Sequence, residues 1–387
     1  MPTSFDLNAS GSVPNLLPVA GAELQWWFVQ GHVAGDDAPA VHFMAAFFVI
    51  NGVARAAPEP AHMLLLHILD GATTPHVVSR ITPAVAAVHR AWARTVAQAN
   101  YAPALASVVL RRHLADVESS ASEGGIDTRA DGAWLGTDTF AIHWDGFAFA
   151  ATDGGFELAL PTGANGAARL RLEPQRPWMD EDGGRLDPAV ASPYRYICCP
   201  RLAVSGEIGG RQVNGHAWID RQWGALDRWL LVRGHDGIQL SGWDWLGLTL
   251  EDGTDFLIQR GYTVGAGPLG NGFVVRFDKR SARLTPGGFA PAPHGYWTSH
   301  RSGARYPVAR RVLLPAEDGV IDVVPVRRDQ EIPVYGASAI WEGAVTASGH
   351  LAGREVAGHG RLELFGYGYA DTVARYLARR MRRGFGG

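Results

Sequence analysis

Short apolar runs broken by turn residues dominate this chain. Trp26-Trp27-Phe28-Val29, His42 to Ile50 and Met63 to Leu69 read as strands, and Asn51-Gly52 and Asp70-Gly71 punctuate them. Between 133 and 172 apolar and polar residues alternate, as in Phe140-Ala141-Ile142-His143-Trp144 and Phe156-Glu157-Leu158-Ala159-Leu160. A Pro/Asp/Gly-rich passage at 173–193 reads as a long loop. From 194 onward short strands recur, with turns at Gly209-Gly210, Asp252-Gly253, Gly287-Gly288 and Asp318-Gly319. Two stretches break this period. Between 82 and 116, Val85, Val88, Trp92 and Val96 fall at helical spacing, with Pro83 near the start and Pro103 interrupting, which predicts one or two inserted helices. Asp371 to Arg383 predicts a C-terminal amphipathic helix. Val373, Tyr376 and Leu377 form its apolar stripe, and Arg375, Arg379, Arg380, Arg382 and Arg383 crowd the rest.

Many short strands with regular turns predict a mostly β protein of sandwich or barrel type. A barrel leaves no exposed sheet edge and can enclose an apolar ligand. The Gly/Asp/Arg-rich passage at 225–245 predicts a division into residues 1–235, carrying the helical insertion, and 236–387, carrying the terminal helix. Composition agrees, with 48 glycines and 13 tryptophans in 387 residues. The net charge is −3, from 35 basic and 38 acidic residues, so no basic excess points to nucleic acid. Lys279 is the only lysine and lies in the charged stretch Arg276 to Arg280, which disfavours Schiff-base chemistry. The two cysteines, Cys198 and Cys199, are adjacent and read as small buried hydrophobes, not a disulfide framework. The opening residues lack a signal-peptide pattern, and the longest apolar run, Phe43 to Ile50, is too short for a membrane helix, so a cytoplasmic location is expected. The terminal basic helix is expected to pack on the barrel, with weak membrane-surface contact as its alternative role.

Gly265-Ala266-Gly267-Pro268-Leu269-Gly270 fits a dinucleotide fingerprint by letters, but Pro268 interrupts it and the strand-like Phe273-Val274-Val275 follows, so a hairpin loop is expected. No nucleophile elbow and no H-E-x-x-H motif occurs; His62 and His67 are spaced wrongly for one helix face. No cofactor and no metal site is expected. The densest chemistry lies in Gly215 to Gly224, Trp229 and Gly242 to Trp245, where five of the 13 tryptophans interleave with His216, Asp220 and Asp244. On a strand His216, Trp218 and Asp220 share one face; Trp243 and Trp245 share another, with Asp244 opposite. Flat indole faces beside a carboxyl suit a large, apolar, unsaturated ligand. The plainer account is that these tryptophans are core and the aspartates are turn residues.

Five segments, in order from about residue 22 to 367, resemble the carotenoid 1,2-hydratase (hydroxyneurosporene synthase) family. Ala22-Glu23-Leu24-Gln25-Trp26-Trp27-Phe28 resembles its E-W-W-Y opening, and Gly215 to Gly224 its G-x-x-W-x-D-x-E-W-G signature. Trp243-Asp244-Trp245-Leu246 with Leu250-Glu251-Asp252-Gly253 resembles its W-D-W segment, and Trp297-Thr298-Ser299 through Pro307 and Trp341-Glu342-Gly343 through Tyr367 its C-terminal signatures. The resemblance implies two lipocalin-like antiparallel β-barrel domains around a large apolar pocket. The family includes carotenoid hydratases, AttH-like proteins and fungal Diels–Alderases. Where the family has glutamates, this chain has Gln25 and Gln222. Two readings stand: those glutamates act as acids in relatives and are lost here, or they satisfy buried groups, which an amide also does.

Three functions follow as expectations. The first is a cofactor-independent hydratase or cyclase of a terpenoid-like polyene, in which Asp220 or Asp244, kept protonated by burial, protonates an alkene and His216 accepts a proton from water or quenches the cation. Trp218, Trp223, Trp243, Trp245, Gln222, Gln25 and Trp27 are then the expected substrate contacts. The second is a pericyclase, in which the pocket folds a polyene and Gln222, His216 or an indole N–H polarises a carbonyl. The third is a non-catalytic carrier of a lipophilic molecule.

Overall fold

The computed structural model describes residues 14–35, 39–51, 61–71, 73–98, 125–163, 166–180, 195–224, 231–234, 237–263, 267–268, 272–279, 281–335 and 338–368. The expected C-terminal helix from Asp371 to Arg383 lies outside them. The protein is mostly β and rests on two curled, half-barrel sheets, as lipocalin-like folds do. The strands of the first run from Leu24–Ala34 to Arg211–Gly224, and those of the second from Leu231–Gly234 to Arg354–Phe365. In each, an early long strand pairs with the last one: Leu24–Ala34 with Arg211–Gly224, and Gly237–Leu250 with Arg354–Phe365. Pairing is antiparallel except where His76–Ile81 runs parallel to Ile126–Thr128.

Three apolar cores explain the sequence pattern. One lies inside the first half-barrel, one inside the second, and the third joins the two sheets face to face. Strand Val41–Ile50 therefore buries both faces, with Phe43, Ala45, Phe47 and Val49 in the first half-barrel and Met44, Ala46 and Ile50 in the shared core. That double burial is why its sequence is a continuous apolar run instead of an alternation. Strand Arg211–Gly224 divides likewise: Ala217 and Ile219 turn inward and Trp218 turns to the partner sheet.

The α-helix Pro83–Gln98 has Pro83 in its first turn, where a missing N–H costs nothing. Thr82 precedes it and its hydroxyl accepts from His62 N, tying the helix start to the sheet. Val85 and Val88 bury in the shared core. The side chains of Trp92 and Val96 lie outside the described residues. The strands Asp255–Thr263 and Phe273–Phe277, which flank the Gly265–Gly270 stretch, pair antiparallel, in keeping with a hairpin. Cys198 and Cys199 are both free and buried, and burial pushes the Cys199 thiol up to about 12. No helix among the described residues is long and apolar enough to cross a membrane.

The sheets are also clasped by charge. Arg176 Nε and Arg201 Nη2 of the first half reach Asp255 of the second at 3.1 and 2.8 Å. Desolvation pulls the Asp255 carboxyl upward against these two cations.

Candidate active site between the two sheets

The strand register brings two carboxyl groups together at the joint. Glu342 and Glu363 are direct cross-strand partners on Ser338–Leu351 and Arg354–Phe365, on the face turned toward the first sheet. Side chains so opposed on one face are within contact reach. Each flanks an aromatic cavity that encloses about 830 Å³, its open mouth included. The first sheet supplies Trp26, Phe28 and Phe48 to its wall, the helix supplies His89, and the second sheet supplies Trp243, Tyr335 and Phe365. Trp243 stacks on Phe365 at 4.1 Å and its indole N–H donates to Glu363 Oε1. Burial drives both carboxyls upward, and Glu342 is pushed further by the charges of Glu363 and Asp220. The two face each other across the hairpin, and burial together with their like charge favours a protonated carboxyl in the pair. Arg361 supplies the balancing cation: it is 1% exposed, donates to the Glu342 carbonyl oxygen at 2.7 Å and lies 3.9 Å from Glu342 Oε2.

A second, polar cavity lies at the other end of the same joint. Gln30, His32, Arg201, His216 and His359 line it, around about 700 Å³ including its mouth. His32 stacks on His359 at 3.8 Å, and His42 lies 4.8 Å from His32. Burial holds all these imidazoles neutral: His32 is lowered to about 4 and His42 to about 2, and His216 and His359 shift the same way.

The residues expected from sequence are distributed differently from the expectation. His216, Trp218 and Asp220 do face the joint, as alternation requires, and Arg221 faces away. They do not share a pocket with Trp243. His216 lines the polar cavity, and Trp243 the aromatic one. Trp218 lies between them in solid core, edge-on to Trp245 at 5.6 Å and to Phe277 at 5.8 Å. Trp245 packs on Phe28. Asp220 is buried beside Glu342, and Tyr196 Oη donates to its Oδ2 at 3.4 Å.

Asp244 corrects the expectation of an acid. It faces the core of the second half-barrel, where Arg260 and Arg310 pair with Oδ2 and Tyr367 donates to Oδ1 at 2.7 Å. There it pairs with one buried guanidinium, Arg310, and one partly exposed one, Arg260.

Gln25 and Trp27 lie on the opposite face of their strand from the cavity. Gln25 Oε1 accepts from Arg221 Nη2 at 2.6 Å and from Val19 N at 2.9 Å, and Trp27 donates to Leu16 O while its ring lies 3.9 Å beneath the Arg221 guanidinium. Trp223 flanks the same guanidinium at 5.0 Å. These three are a cradle for Arg221, which burial lowers to about 9. Gln222 is buried on the joint face but lines neither cavity.

Sequence reading missed the acid pair. Glu342 and Glu363 stand in segments that resemble the family's C-terminal signatures, each a lone acid among apolar and small residues, Ile340-Trp341-Glu342-Gly343-Ala344 and Leu362-Glu363-Leu364-Phe365. An acid in a fully apolar strand was the available signal; their opposition depends on register.

The fold and site define a lipocalin-like protein of two half-barrels with an acid-bearing aromatic cavity at their joint. Residues 14–367 match the AttH-like family, and the chain belongs to it. It is similar to the solved structure of an AttH-type protein from Nitrosomonas europaea, at 23% identity and TM-score 0.63, covering 92% of this chain and 98% of that one. It is also similar to kievitone hydratase from Nectria haematococca, at 12% identity and TM-score 0.57, covering 95% of this chain and 97% of that one. No curated protein sequence matches the chain.

Proposed function

We propose that the protein is a hydratase or cyclase that protonates an alkene in an apolar substrate from the Glu342–Glu363 pair. The observation that carries this reading is a pair of cross-strand carboxyls, buried together, flanking an aromatic cavity. A carboxylic acid kept protonated by its apolar surroundings is a proton donor at neutral pH. Proton transfer to one alkene carbon leaves a cation on the other. The faces of Trp243, Trp26 and Phe48 would stabilise it, by roughly 1–2 kcal/mol each when desolvated. The Trp243 N–H and Arg361 would stabilise the carboxylate left behind. The cation then takes water, which gives a proton back to the carboxylate and leaves an alcohol, or takes a second double bond of the same substrate, closing a ring whose new cation loses a proton to the carboxylate. That a structural neighbour is named a hydratase agrees with the first outcome.

The test is incubation with a panel of acyclic and terpenoid-like polyenes, read by mass spectrometry. The expected product gains one water or is an isomer of unchanged mass, and Glu342→Gln or Glu363→Gln abolishes it. Turnover that survives both changes but fails in Trp243→Ala would assign ring closure by shape alone.

A further inference from the structure

Between the two cavities runs a seam of buried polar groups with unmet hydrogen-bonding capacity. His67 is 0% exposed, and neither its Nδ1 nor its Nε2 has a protein partner; the same holds for Arg361 Nε and Glu342 Oε2. These groups belong together. His42 and His67 are diagonal neighbours on adjacent strands, on the face that puts Met44 in the shared core; Arg361 lies against Glu342, and its charge reaches His67. His42 in turn neighbours His32, which lines the polar cavity. The seam thus runs from the polar cavity through His32, His42, His67 and Arg361 to the acid pair. Buried polar atoms are almost always hydrogen-bonded, and where protein supplies no partner a bound water with two to four polar neighbours does.

We propose that this seam binds water against His67, Arg361 and Glu342, and that the polar cavity delivers it to the acid pair while the aromatic cavity takes the unsaturated substrate. The proposal rests on the acid reading above. The two reactants of a hydration would then arrive by separate routes, and the aromatic cavity need not be wet. The step balances. The pair's proton and the alkene π electrons form a C–H bond, the water oxygen forms the C–O bond to the cation, and a water proton returns to the carboxylate.

The titratable groups facing the seam are His32, His42, His67 and Asp220 from the first sheet, and Glu342, Glu363, Arg361 and His359 from the second. Their imidazoles are held neutral, so they can accept from water as well as donate to it.

The experiment is atomic-resolution crystallography of the wild-type protein and of His67→Phe, a ring of similar size without nitrogen. In the wild type, ordered water is expected within hydrogen-bond distance of a His67 ring nitrogen and of Glu342 Oε2 or Arg361 Nε; in His67→Phe that water is lost. A dry wild-type seam, with His67 bonded to protein groups, overturns the proposal. Should His67→Phe fail to fold, His67→Gln replaces it and is expected to keep the water; its loss there counts against the proposal. All-trans-retinol, a probe of the aromatic cavity, is expected to quench tryptophan fluorescence in both proteins with Kd values within about twofold. Failure of retinol to bind either protein would count against the substrate cavity, and so against the acid reading, while the water result stands by itself.

Discussion

At the residue scale the site turns on what each buried polar group has for a partner. The Trp243 indole both walls the cavity and donates to Glu363, so its two roles separate by substitution. Trp243→Phe keeps the ring and removes the donor; it should lower turnover about tenfold, the equivalent of about 1.4 kcal/mol, with retinol affinity nearly unchanged. An unchanged rate would mean that the donor does not serve the conjugate base.

Gln25 poses the complementary case. Its amide is a neutral partner for the buried Arg221, whose other acceptors are carbonyls and whose guanidinium lies over Trp27. Gln25→Met, which removes the amide at similar volume, should destabilise the protein by about 1–3 kcal/mol, because Arg221 and the Val19 N–H and carbonyl lose their partner. An unchanged melting temperature would count against this reading of the cradle. Of the two readings the sequence left open for Gln25, these contacts favour the structural one. The residues proposed to carry the chemistry were harder to find from sequence. Glu342 and Glu363 are twenty-one positions apart, and only the hairpin register opposes them.

At the element scale the signature glycines have a steric cause. A Cβ on Gly215 would sit 2.0 Å from the His32 backbone oxygen, and one on Gly343 would sit 1.9 Å from the Trp341 ring. Gly215→Ala and Gly343→Ala should each cost on the order of 2 kcal/mol or more, because neither neighbour can retreat from a packed core. Urea unfolding midpoints would check this, and wild-type midpoints would refute the crowding. Strands were legible because alternation and turn residues are local. Strand Val41–Ile50 was legible as apolar but not as doubly buried, since that depends on a partner sheet remote in sequence. The same limit misplaced Asp244. Alternation correctly set it opposite Trp243 and Trp245, but which face met the cavity depended on how the sheets dock.

At the scale of the whole molecule, buried imidazoles at the joint (His32, His42, His67) and inside the first half-barrel (His62) store a pH dependence. Unfolded imidazoles titrate near 6.5, whereas burial lowers His32 and His62 to about 4 and His42 to about 2, and lowers His67 well below its ordinary value. Below pH 6.5 the unfolded chain holds more protons than the folded one at these positions. Their contribution is therefore complete above 6.5 and is lost as pH falls toward about 4, by up to about 1.4 kcal/mol per pH unit for each imidazole. The raised carboxyls of Glu342 and Glu363 act in the opposite sense over that window, but four imidazoles outnumber them. The melting temperature should fall as pH drops from 6.5 to 4.5, and His42→Phe should flatten the slope. A melting temperature that rises over that interval would contradict the burial of these rings in the neutral form.

The central claim is that the Glu342–Glu363 pair keeps a proton at neutral pH. Carbon-13 NMR of glutamate side-chain carboxyls, titrated in the wild type and in Glu342→Gln and Glu363→Gln, tests it directly. One carboxyl signal should remain at the protonated position at pH 7 in the wild type, and in Glu363→Gln it should titrate at lower pH, because the Glu363 charge no longer raises Glu342 and only burial opposes its ionisation beside Arg361. A wild-type spectrum in which every glutamate is ionised at pH 7 would contradict the account.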